Sequence, residues 1–148
     1  MSPQHVDQSA TVVWTGTIAR GSGAVTGASG SLGPLEVDLP TRVGEAEGKT
    51  SPEELLAAAH ATCFAMALGS VLAGRKTPPA RLEVRATVSL DLSAGRTQIS
   101  LIELDARGEV PGADGEAFAE ALAEAEERCL ISRVLTNGTT VRANGGLA

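Results

Sequence analysis

Ser51-Pro52-Glu53-Glu54-Leu55-Leu56-Ala57-Ala58-Ala59-His60-Ala61-Thr62-Cys63-Phe64 opens the stretch on which the fold turns. Ser51 sits at an N-cap, Pro52 at the first helical position and Glu54 at the third, the pattern of a capping box. The spacing predicts a helix from there to about Ala73. Gly74 would end it in a left-handed turn, and Arg75 and Lys76 suit the negative end of its dipole. No residue from Leu55 to Ala73 is charged. A surface helix carries a polar face; this one is apolar nearly all round, and its alanines allow another element to approach closely. We expect a central helix, sandwiched by sheets or by its copy in a dimer. His60, Thr62, Gly69 and Ser70 interrupt the apolar run, so burial in protein is the expected reading and a membrane span is not.

Working outward, residues 1–10 read as a flexible tail and 11–148 as a single domain. Residues 11–18 are rich in β-formers and predict a strand, 20–23 a turn, and 24–27 a return strand. Leu35-Glu36-Val37-Asp38-Leu39 alternates apolar and acidic residues, as a half-buried strand does. Residues 41–50 read as a polar loop. Beyond the helix, Thr77-Pro78-Pro79 breaks the chain. Leu82, Val84, Ala86, Val88, Leu90 and Leu92 then alternate with polar residues, the clearest strand in the sequence. Residues 93–96 predict a hairpin turn and 98–109 the return strand. The apolar phase of that strand slips between Leu101 and Ile102, which predicts a β-bulge or a strand covered on both faces. A second long helix starts at Asp114 or Gly115, with Phe118, Leu122, Ala125 and Cys129 on one inward stripe, and ends at Asn137-Gly138. Residues 139–143 predict a short last strand. The order is βββ-α-ββ-α-β, an α+β fold.

The chain is 43% hydrophobic but only 2% aromatic, so its core must be built from Ala, Val, Leu and Ile. Net charge is −6 and the longest basic run is the pair Arg75-Lys76, which argues against nucleic acid as a partner. The first residues show no basic start and no apolar run, so no secretory signal is read there and the cytoplasm is the expected location. A permanent disulfide is not expected in that reducing compartment.

The two cysteines, Cys63 and Cys129, are therefore either inert core residues or redox-active ones. A lone cysteine on an apolar helix face is commonly just a small core residue. Two thiols on separate rigid elements can also work as an attacking and a resolving pair. Cys63 lies about three turns into its helix, too far from the N-terminus for the dipole to activate it. A cationic neighbour would be needed, and arginine suits best: it stays charged in a dry pocket and its fork of donors can hold both a thiolate and a peroxide oxygen. His60 and Cys63, at i and i+3, could present two metal ligands, but two His and two Cys without a CxxC make no metal site expected. His60 reads as a packing or hydrogen-bonding residue. Glu120, Glu124, Glu126 and Glu127 read as a solvated face.

The segment from Thr50 to Leu68 resembles the signature of the OsmC/Ohr family, the osmotically inducible and organic hydroperoxide resistance proteins of bacteria. The wider similarity runs from about Trp14 to the C-terminus and includes Trp14-Thr15-Gly16, Leu39-Pro40-Thr41-Arg42, Val88-Ser89-Leu90-Asp91 and Val110-Pro111-Gly112. His60 ahead of Cys63, and Arg42 in the loop before the helix, resemble the OsmC branch. The resemblance implies an intertwined homodimer with the long Cys-bearing helices enclosed by antiparallel sheets. It also implies a thiol-dependent peroxidase preferring organic hydroperoxides, with hydrogen peroxide a further candidate substrate. Cys63 matches the peroxidatic cysteine, Cys129 the resolving one, Arg42 the activating arginine and Glu53 the carboxylate that orients it. Cys63 would become a sulfenic acid, Cys129 would condense with it to a disulfide, and an external dithiol would reduce that bond without metal or cofactor. The family's second motif has Pro after the resolving cysteine; Leu130 stands there, which bears on the ease of disulfide formation.

Glu53 and Cys63 are ten residues apart, about 15 Å along one helix, and cannot meet within a subunit. We expect Arg42 and Glu53 of one chain to complete the site around Cys63 of the other. The rival reading is a non-catalytic small-molecule or lipid-binding dimer of the same fold. A thiol hydrolase or acyltransferase using Cys63 is a second rival, which lacks an obvious general base.

Overall fold

The computed structural model describes residues 4–93 and 95–148. Ala94 of the expected turn at 93–96, and the first three residues of the expected tail, lie outside the described residues. The chain is α+β. Its contacts fall into two compact groups, one holding the residues up to Leu56 together with Val88–Leu101, the other Ala57–Thr87 with Ile102–Ala148.

In the first group, β1 (Ala10–Thr15), β2 (Ser22–Gly27) and β3 (Leu35–Val37) form an antiparallel meander in the order β1-β2-β3. Trp14 lies opposite Gly23 and Val25 opposite both Val12 and Leu35. Gly23 makes room there: a Cβ on it would come within 2.9 Å of Val37 and 3.0 Å of the Trp14 ring. A single parallel bridge, Val37 to Thr50, ties the meander to the segment that enters the long helix.

The alternation read at residues 35–39 stops early. Asp38 is not a strand residue but the N-cap of a short helix, α1 (Leu39–Val43), in the region read as a loop. Its carboxylate accepts from the Thr41 backbone N–H and from the Thr41 hydroxyl, both at 2.8 Å. Pro40 in the first turn fits a helix start, where its missing N–H costs nothing.

The predicted long helix is α2 (Pro52–Gly74). Ser51 Oγ accepts from the Glu54 N–H at 3.1 Å, as a capping box requires. The reciprocal half differs: the Glu54 carboxylate takes the Thr50 hydroxyl at 2.6 Å. The C-terminus also differs from expectation. Thr77 N–H donates to Leu72 O and Lys76 N–H to Ala73 O, the paired bonds of a Schellman motif. The left-handed residue is therefore Lys76 (φ 64°), two positions beyond Gly74.

In the second group α2 meets α3 (Gly115–Arg128), N-capped by Asp114 onto Ala117 N–H. Phe64, Leu68, Val71 and Leu72 of α2 pack with Ala121 and Ala125 of α3 and with Cys129. The residues of α2 at i, i+4, i+7 and i+8 thus form one inward stripe. Arg75 clamps the outer edge with Glu120 (3.2 Å) and Glu124 (2.9 Å), so those two acids of the expected solvated face are paired. By length and composition α2 could cross a membrane; its inward stripe and the buried polar bond of His60 make it a core helix.

β4 (Arg81–Asp91) and β5 (Gln98–Glu109) form a two-stranded sheet. Leu82, Val84, Leu104 and Ala106 pack on the core of the second group. At the expected slip, Ile102, Leu104 and Ala106 keep one partly buried face while Ile99 and Leu101 lie exposed on the opposite phase. Gly108 lets α3 lie close on β5: a Cβ there would come within 2.8 Å of the Phe118 ring.

Two expectations fail near the C-terminus. The second long helix breaks at Cys129, whose ψ of 116° is extended, and restarts as α4 (Leu130–Asn137). Residues 139–143 lie in no strand among the described residues and are exposed. A strand needs a partner to take its backbone hydrogen bonds, which composition alone does not supply. The observed order is βββ-αα-ββ-αα.

Candidate active site

Arg42 and Glu53 come together in the first group. Glu53 is the second residue of α2 and Arg42 sits in the last turn of α1, so the two caps that start these helices also fix the pair. Arg42 Nε donates to Glu53 Oε1 at 2.9 Å, and Nη2 approaches the same oxygen at 2.9 Å. The Glu53 side chain is 10% exposed, that of Arg42 41%. The carboxylate is thus held inside while the guanidinium is partly exposed. Glu53 Oε2 is buried without a hydrogen-bond partner among the described residues. Lys49 steadies the α1 cap, its ammonium 2.7 Å from Asp38 and 3.3 Å from Glu36. The bond from Lys49, then those from Thr41, lower the Asp38 carboxyl from 3.8 to about 2. Asp38 and Glu36 in turn raise the Lys49 ammonium above its ordinary value.

Cys63 and Cys129 both belong to the second group. Both are free thiols. Cys129 is fully buried within the hydrophobic cluster, and Cys63, partly exposed, packs against that same cluster. Cys129 ends α3 through its N–H to Ala125 O at 2.8 Å and starts α4 through its C=O, which accepts from Arg133 N–H at 3.0 Å. Its thiol makes no cap bond. The helix break at the cysteine exists without the proline that the family places next: Leu130 takes the first helical position of α4 and is exposed.

A third set of side chains joins the cysteine-bearing elements. His60 on α2 is buried, and its Nε2 lies 2.7 Å from Ser132 Oγ on α4. Ser132 Oγ also donates to Glu126 Oε2 at 3.1 Å. His60 is thus the hydrogen-bonding residue expected. Its partners were not foreseen: 72 residues separate His60 from Ser132, and Glu126 belongs to the acidic run read as a solvated face. Only the long-range fold carries that signal.

A family model described as OsmC-like protein matches residues 44–144. The chain is 39% identical over 122 residues to peroxiredoxin OsmC of Escherichia coli (strain K12), covering 82% of this chain and 85% of that protein, and matches the Shigella flexneri protein of the same name equally. Among solved structures, an organic hydroperoxide resistance protein from Elizabethkingia anophelis aligns with a TM-score of 0.69 and 26% identity over 90% of each chain. One from Bacillus subtilis aligns at 0.62 and 28%, covering 85% of this chain and 89% of that one. A family model spanning most of the chain and this level of identity agree: the chain belongs to the OsmC family.

Proposed function

We propose that the protein is a cysteine-based peroxidase that reduces organic hydroperoxides. The names of its relatives support a peroxidase role. The observation that carries the reading is that one free thiol, Cys129, lies in the buried cluster against which the other, Cys63, packs. The Cys63 thiolate attacks the O–O bond, an alcohol leaves, and Cys63 holds the second oxygen as a sulfenic acid. The Cys129 thiol then forms the S–S bond as the S–O bond breaks, and its proton leaves with the hydroxyl as water. One hydroperoxide and two thiols become one alcohol, one water and one disulfide. An external dithiol returns the pair to the reduced state by exchange.

In this reading Arg42 stabilises the thiolate and the departing alkoxide, and Glu53 fixes the guanidinium plane. The working form is a homodimer, in which Arg42 and Glu53 of one chain serve Cys63 of the other. Its place is the cytoplasm, where free thiols persist. Dithiol-dependent consumption of an alkyl hydroperoxide tests the reading. Cys63→Ser is expected to abolish turnover, and Cys129→Ser to allow one sulfenic acid event followed by over-oxidation. Full steady-state turnover of Cys129→Ser with a dithiol would refute the resolving role, and no consumption by the native protein would favour a non-catalytic binding dimer.

A further inference from the structure

The α3–α4 break needs something to hold it, because Cys129 sits there with an extended ψ and no side-chain cap bond. Ser132 is the hub across the break. A hydroxyl has one hydrogen, and a carboxylate only accepts. With the Ser132 hydrogen directed to Glu126 at the end of α3, its lone pair accepts from His60 Nε2–H on α2. This assigns the Nε2–H tautomer to His60 and leaves Nδ1 as a bare acceptor. Nδ1 is indeed buried without a hydrogen-bond partner among the described residues. An apolar residue of similar size would avoid that loss, so packing alone does not account for a histidine here. His60 is three residues before Cys63 on α2, the spacing at which helical neighbours share a face, and Ser132 lies in the first turn of α4, which Cys129 caps.

We propose that His60, acting through Ser132 and Glu126, is a positioning residue for the resolving step: it pins the α3–α4 junction so that Cys129 stays within reach of oxidised Cys63. The proposal rests on the peroxidase reading above. The step itself is unchanged in balance: S–S forms, S–O breaks and water leaves. What the network sets is how often the junction presents the Cys129 thiol before Cys63 meets a second peroxide and passes to the sulfinic acid.

The test is a single-turnover experiment on the full chain with one equivalent of cumene hydroperoxide. Sulfenic acid formation is followed by peroxide loss, and disulfide formation by mass spectrometry after thiol blocking. The readout is the ratio of the second rate to the first. In His60→Leu and in Ser132→Ala this ratio is expected to fall by about tenfold or more, and the double variant to fall no further than the lower single. His60→Gln, whose amide can donate to the same hydroxyl, is expected to recover to within about threefold of the native ratio. With excess peroxide, the sulfinic form of Cys63 accumulates faster in the first two. An unchanged ratio in Ser132→Ala, a variant that conserves volume, overturns the proposal. So does a His60→Gln ratio as low as that of His60→Leu, because geometry at Nε2 would then not matter. If the native protein itself forms no Cys63–Cys129 disulfide, the peroxidase reading fails, an outcome distinct from either.

Discussion

At the residue scale, the site divides into groups that differ in how they announce themselves. Arg42 is attached to α1 by its backbone and to Glu53 by its side chain, with the carboxylate buried and the guanidinium half-exposed. Removing the guanidinium would strip the proposed thiolate site of its charge. Arg42→Ala is therefore expected to slow alkylation of Cys63 near neutral pH by about tenfold, the effect of one lost neighbouring charge. Iodoacetamide kinetics on the Cys129→Ser background measure it, and an unchanged rate would remove Arg42 from the site. Arg42, Glu53, Cys63 and Cys129 were singled out through the family resemblance that the Thr50 to Leu68 segment carries; their roles stand as proposed. Ser132 and Glu126 were not legible. Nothing local in Glu126-Glu127-Arg128 or in Ser132 points to a histidine far away in the chain.

At the element scale, the helix ends are where local sequence and structure part. Gly74 was the expected terminator because glycine tolerates φ > 0, yet the chain runs on and places Lys76 there at φ 64°. A left-handed lysine costs about 1–2 kcal/mol and glycine gives back part of that through its looser unfolded chain. Lys76→Gly is expected to stabilise by about 0.5–1 kcal/mol in urea unfolding; a loss of stability would contradict the Schellman assignment. The α1 cap gives a pH prediction. The Asp38 carboxyl is depressed in the fold, so its contribution is complete above the ordinary value of 3.8 and is lost as pH falls from there toward about 2. The raised Lys49 acts in the opposite sense, its contribution lost only as pH rises above 10.5. Asp38→Asn is expected to lose the acid-limb drop between pH 4 and 2 that depends on this pair, seen by comparing urea midpoints of the two proteins about every half unit of pH. An acid limb identical in both proteins would contradict it.

The same scale shows which elements could be read in advance. The capping residues of α2, the strict alternation of β4 and the apolar stripe of α3 are local patterns repeated often enough to be decisive. The break at Cys129 was hidden because the stripe continues in phase to Cys129 and an apolar residue follows. The α1 helix was hidden by Leu35-Glu36-Val37-Asp38-Leu39, where alternation continues past the residue that caps a helix. The strand expected at residues 139–143 had the right composition, but strand composition states only a preference, and the backbone partner must come from elsewhere.

At the scale of the whole molecule, a single copy leaves apolar surface uncovered. Met66 on the outer face of α2 is 72% exposed, and Val12 and Val13 of β1 are 55% and 64% exposed. Ile99 and Leu101 of β5 add to it. Ala58, Ala59 and Ala73 also lie exposed on α2, so the helix that is apolar all round buries one face within its own chain. Exposed apolar side chains of this kind are what the proposed homodimer has to cover. Sedimentation is expected to give a mass of about twice the 15.0 kDa chain. Met66→Glu is expected to shift the protein toward monomer and to lower peroxide turnover with it, because a charge would be left without a partner in the apolar contact. A monomeric native protein with full activity would overturn both the dimer and the shared site.

The central claim is that one peroxide converts these two thiols into one bond. Peptide mapping by mass spectrometry, after one equivalent of alkyl hydroperoxide and blocking of residual thiols, tests it most directly. The account predicts a single new species linking the peptides of Cys63 and Cys129, abolished by a dithiol and matched mole for mole by the alcohol released. Peroxide left unconsumed with both thiols still blocked, or alcohol released while Cys129 stays free, would contradict it.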